Sequence, residues 1–93
     1  MVLSEADVEE RLRALQGWRR DGTAIVKQFT FAGFPEAVAF VNRLVPDAEA
    51  ADHHPDLTIN YRRVTVSLST HSEGGITERD FAGAAAAERA ACA

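Results

Sequence analysis

Apolar side chains recur along this chain first at helical and then at strand spacing. Val8, Leu12 and Leu15 stand three or four residues apart, the mark of one helix face. Ser4 ahead of them can cap the first turn, and Asp7 carries a favourable charge there. The spacing predicts a first helix, ended by Gly17. Trp18 to Arg20 reads as a short extended piece, and Asp21-Gly22-Thr23 as a turn into a second strand. In that strand Ile25, Phe29 and Phe31 share one face, with Lys27 the misfit. Val26, Gln28 and Thr30 share the other.

Pro35 then suits the first turn of a long helix. Phe34, Val38, Val41, Val45 and Ala48 form its stripe, widened by Ala37 and Leu44, with Phe40 partly off it. So broad an apolar surface is expected to touch both the sheet and a partner. Pro46 lacks a backbone donor and crowds the preceding turn, which predicts a kink or break and a second helical piece over 47–51.

The clearest β signal is DLTINYRRVTVSLST, residues 56–70. Leu57, Ile59 and Tyr61 alternate with polar residues, as do Val64, Val66 and Leu68. A turn centred on Arg62-Arg63 sets Tyr61 against Val64, Ile59 against Val66 and Leu57 against Leu68. A slip of one residue would put polar side chains on the buried face. Extended outward, the same register brings His54 opposite His71. After a loop over Ser72 to Gly75, Thr77 and Asp80 resemble a capped helix start, and an alanine-rich helix follows. The expectation is a single α+β domain over residues 1–93. Its order is α-β-β-α-β-β-α, a four-stranded antiparallel sheet with three helices packed on one face.

Composition narrows the function. The chain is 46% hydrophobic and 26% charged, which is ordinary for a globular domain. A net charge of -4 argues against a nucleic-acid partner. No apolar run is long enough to span a membrane, and the single cysteine, Cys92, fits a reducing compartment, so a cytoplasmic location is expected. All three histidines, His53, His54 and His71, fall around the second hairpin. Imidazole exchanges protons near neutral pH, and Glu49 and Asp52 lie close enough in sequence to orient it. Three readings stay open on the residues alone: an acid–base enzyme acting on a small polar molecule, a three-imidazole metal site, or histidines that only hydrogen-bond loops. No nucleophile elbow and no phosphate loop occur.

The segments AEAADHHPDL, NYRRVTVSLSTH and GGITERD, with Gly17-Trp18 and AIVKQFTF before them, resemble the pterin-4a-carbinolamine dehydratase family. The resemblance covers nearly the whole chain. It implies a hydro-lyase that dehydrates 4a-hydroxytetrahydrobiopterin to a quinonoid dihydropterin, recycling the pterin used by aromatic amino acid hydroxylases. It implies no cofactor and no metal. His53, His54 and His71 match the catalytic imidazoles, with His53 and His71 expected to move protons and His54 to orient the pterin. Glu49, Asp52, Pro55, Ser69, Thr70, Ser72 and Trp18 match substrate-binding positions. Asp80 matches an acid at the last helix, where a helix-start role is expected. Leu57 stands where better-known members carry tryptophan. The partners implied are the pterin itself and further copies in a homodimer or homotetramer. The alternative on the same fold is a non-catalytic interaction module using the helix around Phe40 and Leu44.

Overall fold

The computed structural model describes residues 1–93. Helix α1 spans Glu5–Arg13; its first turn is capped by Ser4, whose Oγ accepts from the Asp7 N–H at 3.1 Å. Strands β1 (Arg19–Asp21) and β2 (Ala24–Thr30) form a hairpin around Gly22 and Thr23. Helix α2 (Phe34–Ala51), strands β3 (Asp56–Asn60) and β4 (Arg63–Leu68), a 3₁₀ turn (His71–Glu73) and helix α3 (Glu78–Cys92) complete the chain. The sheet is antiparallel throughout, in the order β1-β2-β4-β3. The expected α+β architecture is therefore present.

One face of the sheet makes the core. Ile25 and Phe29 of β2 and Val64, Val66 and Leu68 of β4 meet Val8 of α1, Phe40 and Leu44 of α2, and Ala84, Ala87 and Ala90 of α3. Phe40 lies 4.9 Å from the rings of both Phe29 and Phe31. Trp18 meets Phe29 edge to face at 6.1 Å. Lys27, the charged residue on this face, sets its ammonium 4.7 Å from the centre of the Phe29 ring. Its ammonium reaches Glu88 at 2.6 Å and the Gln16 carbonyl at 2.9 Å. The opposite face carries Val26, Gln28, Thr30, Thr58, Thr65 and Ser67 and bears no helix.

Three expectations need correction. The buried side of α2 is Ala37, Phe40 and Leu44, while Phe34 and Val45 are about half exposed. The helix was apolar over so much of its circumference that its stripe could be drawn on either side, and aromatic packing on Phe29 and Phe31 decides between them. Phe40 and Leu44 thus serve the chain's own core and are not a surface for a partner. Second, α2 runs through Pro46 unbroken. The carbonyl that Pro46 leaves without a donor belongs to Asn42, and both residues are exposed, so water can satisfy it.

Third, the hairpin turns at Tyr61-Arg62 rather than Arg62-Arg63. Leu57 pairs with Val66 and Ile59 with Val64, two residues away from the expected register. A shift of two keeps every side chain on its face, so alternation could not distinguish the two pairings. Tyr61 takes the positive φ of 56° that the two-residue turn demands. The Phe31 N–H also binds the Arg62 carbonyl at 2.8 Å, tying the turn to the end of β2.

Candidate active site

The loop between α2 and β3 carries His53 and His54, and two devices fix it. Asp52 ends α2 in the left-handed region (φ 49°, ψ 44°), a conformation aspartate tolerates better than most side chains. The N–H groups of Asp52 and His53 fold back onto the carbonyls of Glu49 and Ala48. From α3, Nη2 of Arg79 donates to the carbonyls of Ala51 and Asp52 at 2.9 and 2.8 Å, satisfying groups that a helix end leaves free.

Reversal at Asp52 turns His53 inward. Its Nε2 lies 2.7 Å from Oδ1 of Asp80, with the ring 10% exposed and the carboxylate wholly buried. The other oxygen, Oδ2, accepts from the Thr77 N–H at 2.9 Å and from Oγ1 of Thr70 at 3.0 Å. The Thr70 and Thr77 hydroxyls meet at 2.7 Å. Every buried side-chain polar atom finds a partner, so the His53-Asp80-Thr70-Thr77 network is closed, the condition under which a buried polar cluster becomes rigid. An ionised carboxylate can only accept. The hydrogen in the His53–Asp80 contact therefore sits on Nε2, which leaves Nδ1 as the basic nitrogen.

The other imidazoles are placed differently. His54 lies at the surface with Nε2 2.6 Å from Oε2 of Glu49. His71 begins the 3₁₀ turn after β4 and is exposed, with Nε2 3.9 Å from Oδ2 of Asp56. Each imidazole thus has its own carboxylate. The observed register extends to set His54 against Ser69 and not His71, so the expected opposition of His54 and His71 does not hold. The three histidines still share the end of the sheet where β3 begins and β4 ends, because the hairpin closes the gap between them. His53, unlike exposed His54 and His71, reaches inward to α3.

A cavity of about 240 Å³ opens beside His53 and Pro55, walled by Leu44, Ala48 and Ala51 of α2 and by Ala86 of α3. Its floor is Val66 and Leu68, and Arg79, Arg89 and Asp47 also line it. A shallower groove beyond Pro55 holds Glu49, His54 and Leu57. Of the remaining expected site residues, Ser72 is exposed on the His71 turn. Ser69 donates to the Thr23 carbonyl at 2.6 Å. Thr70 is buried, with its hydroxyl committed to the network behind His53. Trp18 lies in the core, where Nε1 donates to Glu88 at 2.9 Å, and it lines neither the cavity nor the groove. No three His, Cys, Asp or Glu side chains are grouped to hold one metal ion.

Two residues gain roles that sequence reasoning underrated. Asp80 is the third helical residue after the Thr77 cap, and its carboxylate closes a capping box. That local role is real, but the same side chain also holds His53, 27 positions earlier. Arg79, beside it, holds the end of α2, a role that no motif in the sequence marks. The only signal in the sequence was the adjacency of a cation and an acid at a helix start.

A four-stranded antiparallel sheet covered on one side by helices, with histidine–carboxylate pairs at one end, defines a small α+β protein. The pattern of the pterin 4 alpha carbinolamine dehydratase family matches residues 1–90, and the chain belongs to that family. A relative from Roseiflexus sp. (strain RS-1), provisionally named a pterin-4-alpha-carbinolamine dehydratase, is 53% identical over 79 residues, 85% of each chain. One from Thermosynechococcus vestitus, with the same provisional name, is 54% identical over 85% of this chain and 83% of its own. Among solved structures, a transcriptional coactivator/pterin dehydratase from Brucella melitensis superposes with a TM-score of 0.94 at 40% identity, covering 98% of this chain and 99% of that one. A pterin dehydratase-like RuBisCO assembly factor of the alpha-carboxysome shares the fold at 23% identity and a TM-score of 0.64, over 80% and 86% of the two chains. No helix is long and apolar enough to cross a membrane.

Proposed function

We propose that this protein dehydrates a 4a-hydroxytetrahydropterin, regenerating the pterin of aromatic amino acid hydroxylases. The observation that carries the reading is the buried Asp80 carboxylate on Nε2 of His53, which reserves Nδ1 for a proton from elsewhere. In the reaction the bond from ring carbon 4a to the hydroxyl oxygen breaks. The hydroxyl takes a proton and leaves as water, the adjacent ring nitrogen gives up its proton, and a carbon–nitrogen double bond forms. The product is a quinonoid dihydropterin. His53, held in one tautomer, takes the proton from nitrogen. His71, exposed and near Asp56, supplies one to the departing hydroxyl. His54, paired with Glu49, orients the ring. Asp52, Pro55, Ser69 and Ser72 are assigned to pterin binding, while Thr70 acts from behind through Asp80. No metal is needed for this elimination.

Half-exposed Phe34 and Val45 on α2 favour a homodimer or homotetramer, in keeping with a small cytoplasmic enzyme. The test is stopped-flow measurement of carbinolamine loss with wild type, His53→Ala and His71→Ala, alongside circular dichroism. Both variants should remain folded and lose roughly 10²–10⁴-fold in rate, the usual range for removing a proton-transfer group. A wild-type protein that does not speed carbinolamine breakdown rules the reading out and leaves as its successor a non-catalytic interaction module that uses the exposed side of α2, Phe34 and Val45, in place of Phe40 and Leu44.

A further inference from the structure

The segment His71–Gly74 projects as an exposed lip whose base is closed on itself. The Thr70 N–H donates to the Gly75 carbonyl at 3.0 Å, and the N–H groups of Glu73 and Gly74 each donate to the Thr70 carbonyl at 3.0 Å. Past the lip, Gly75, Ile76 and Thr77 are buried. Gly75 and Ile76 are met by residues more than seventy positions away. The Leu3 N–H donates to the Ile76 carbonyl at 2.9 Å, and the Leu3 side chain packs against the core. The Val2 side chain occupies the space a Cβ at position 75 would need, at only 2.9 Å from its Cγ1. Gly75 has no positive φ, so nothing else about that position calls for glycine.

We propose that Val2 and Leu3 form a strap that positions the histidine lip for catalysis. The strap holds the returning limb, Gly75 and Ile76. That limb holds Thr70, and Thr70 both starts the lip carrying His71 and bonds the Asp80 carboxylate behind His53. Two imidazoles on separate loops thereby share one support. Val2 and Leu3 touch no substrate; they are positioning residues. The catalytic part of this inference rests on the dehydratase reading, whereas the structural part does not.

The packing supplies a rescue test. In Gly75→Ala the new methyl collides with Val2 and pushes the strap off. Val2→Ala in the same chain removes the colliding Cγ atoms and leaves a Cβ–Cβ distance of 3.8 Å, an ordinary contact. Backbone hydrogen exchange and steady-state kinetics are compared for wild type, Gly75→Ala and the double variant. In Gly75→Ala the amides of Thr70, Glu73 and Gly74 should exchange about tenfold faster, as a loosened local unit does. The kcat should fall about tenfold with KM within roughly twofold, because misplaced catalytic groups cost rate more than binding. Both properties should return in the double variant. Unchanged exchange in Gly75→Ala, or no recovery on adding Val2→Ala, overturns the strap. Altered and rescued exchange with kcat unmoved overturns its catalytic role. A wild type without dehydratase activity defeats the functional reading and that role together, and the exchange data still decide the structural part.

Discussion

Replacing Asp80 by asparagine keeps the shape of the side chain and removes its charge, and the two oxygens respond unequally. Oδ2 faces a backbone N–H, that of Thr77, as well as the Thr70 hydroxyl, whereas Oδ1 faces only His53. The Thr77 N–H cannot be reversed, so the asparagine oxygen stays on that side and its NH₂ turns toward His53. An NH₂ group only donates. Nε2 of His53 must then accept, and its hydrogen moves to Nδ1, the nitrogen that should receive the substrate's proton. In the Ser-His-Asp triad the equivalent exchange lowers kcat about 10⁴-fold through the wrong tautomer, and a loss of roughly 10²–10⁴-fold is expected here.

The stability cost is smaller. A hydrogen bond to a charged group contributes about 1.5–3 kcal/mol against about 0.5–1.5 for a neutral one, so the exchange costs about 1–2 kcal/mol. A domain with about 5–15 kcal/mol in hand remains folded. Two assays separate the effects: ¹⁵N spectra of the histidine ring nitrogens report the tautomer, and stopped-flow carbinolamine loss reports the rate. An Asn variant that keeps hydrogen on Nε2 and wild-type kcat would refute the dyad argument.

Two further outcomes follow from placement. Trp18→Phe keeps most of the packing on Phe29 but deprives Glu88 of its indole donor; urea unfolding should show a loss of about 1–2 kcal/mol, while KM for the pterin stays unchanged, because the ring lines no site. Pro46→Ala restores the donor that Asn42 lacks within α2 and should raise the urea midpoint, by up to about 3 kcal/mol in stability; an unchanged or lower midpoint would mean that helix α2 gains nothing from the recovered bond.

Local chemistry was legible from the residues themselves. Ser4 and the Thr77–Asp80 pair start helices wherever they are placed, since a cap bonds its own first turn. Alternation assigned Leu57, Ile59, Val64 and Val66 to one face, and the histidines to one end of the sheet. Tertiary structure alone decided the rest. Whether Tyr61 or Arg62 led the turn depended on a two-residue shift that leaves alternation unchanged. Which side of α2 was inside depended on the aromatic rings of β2. That a helix-capping carboxylate also grips His53 depended on α3 packing against the end of α2, a contact with no trace in the spacing of either residue.

The physical reason is range. Capping, turn and alternation preferences act over a few neighbouring residues and are written in their order. The pairing of a buried acid with an imidazole 27 positions away exists only once two helices and a sheet have closed around it.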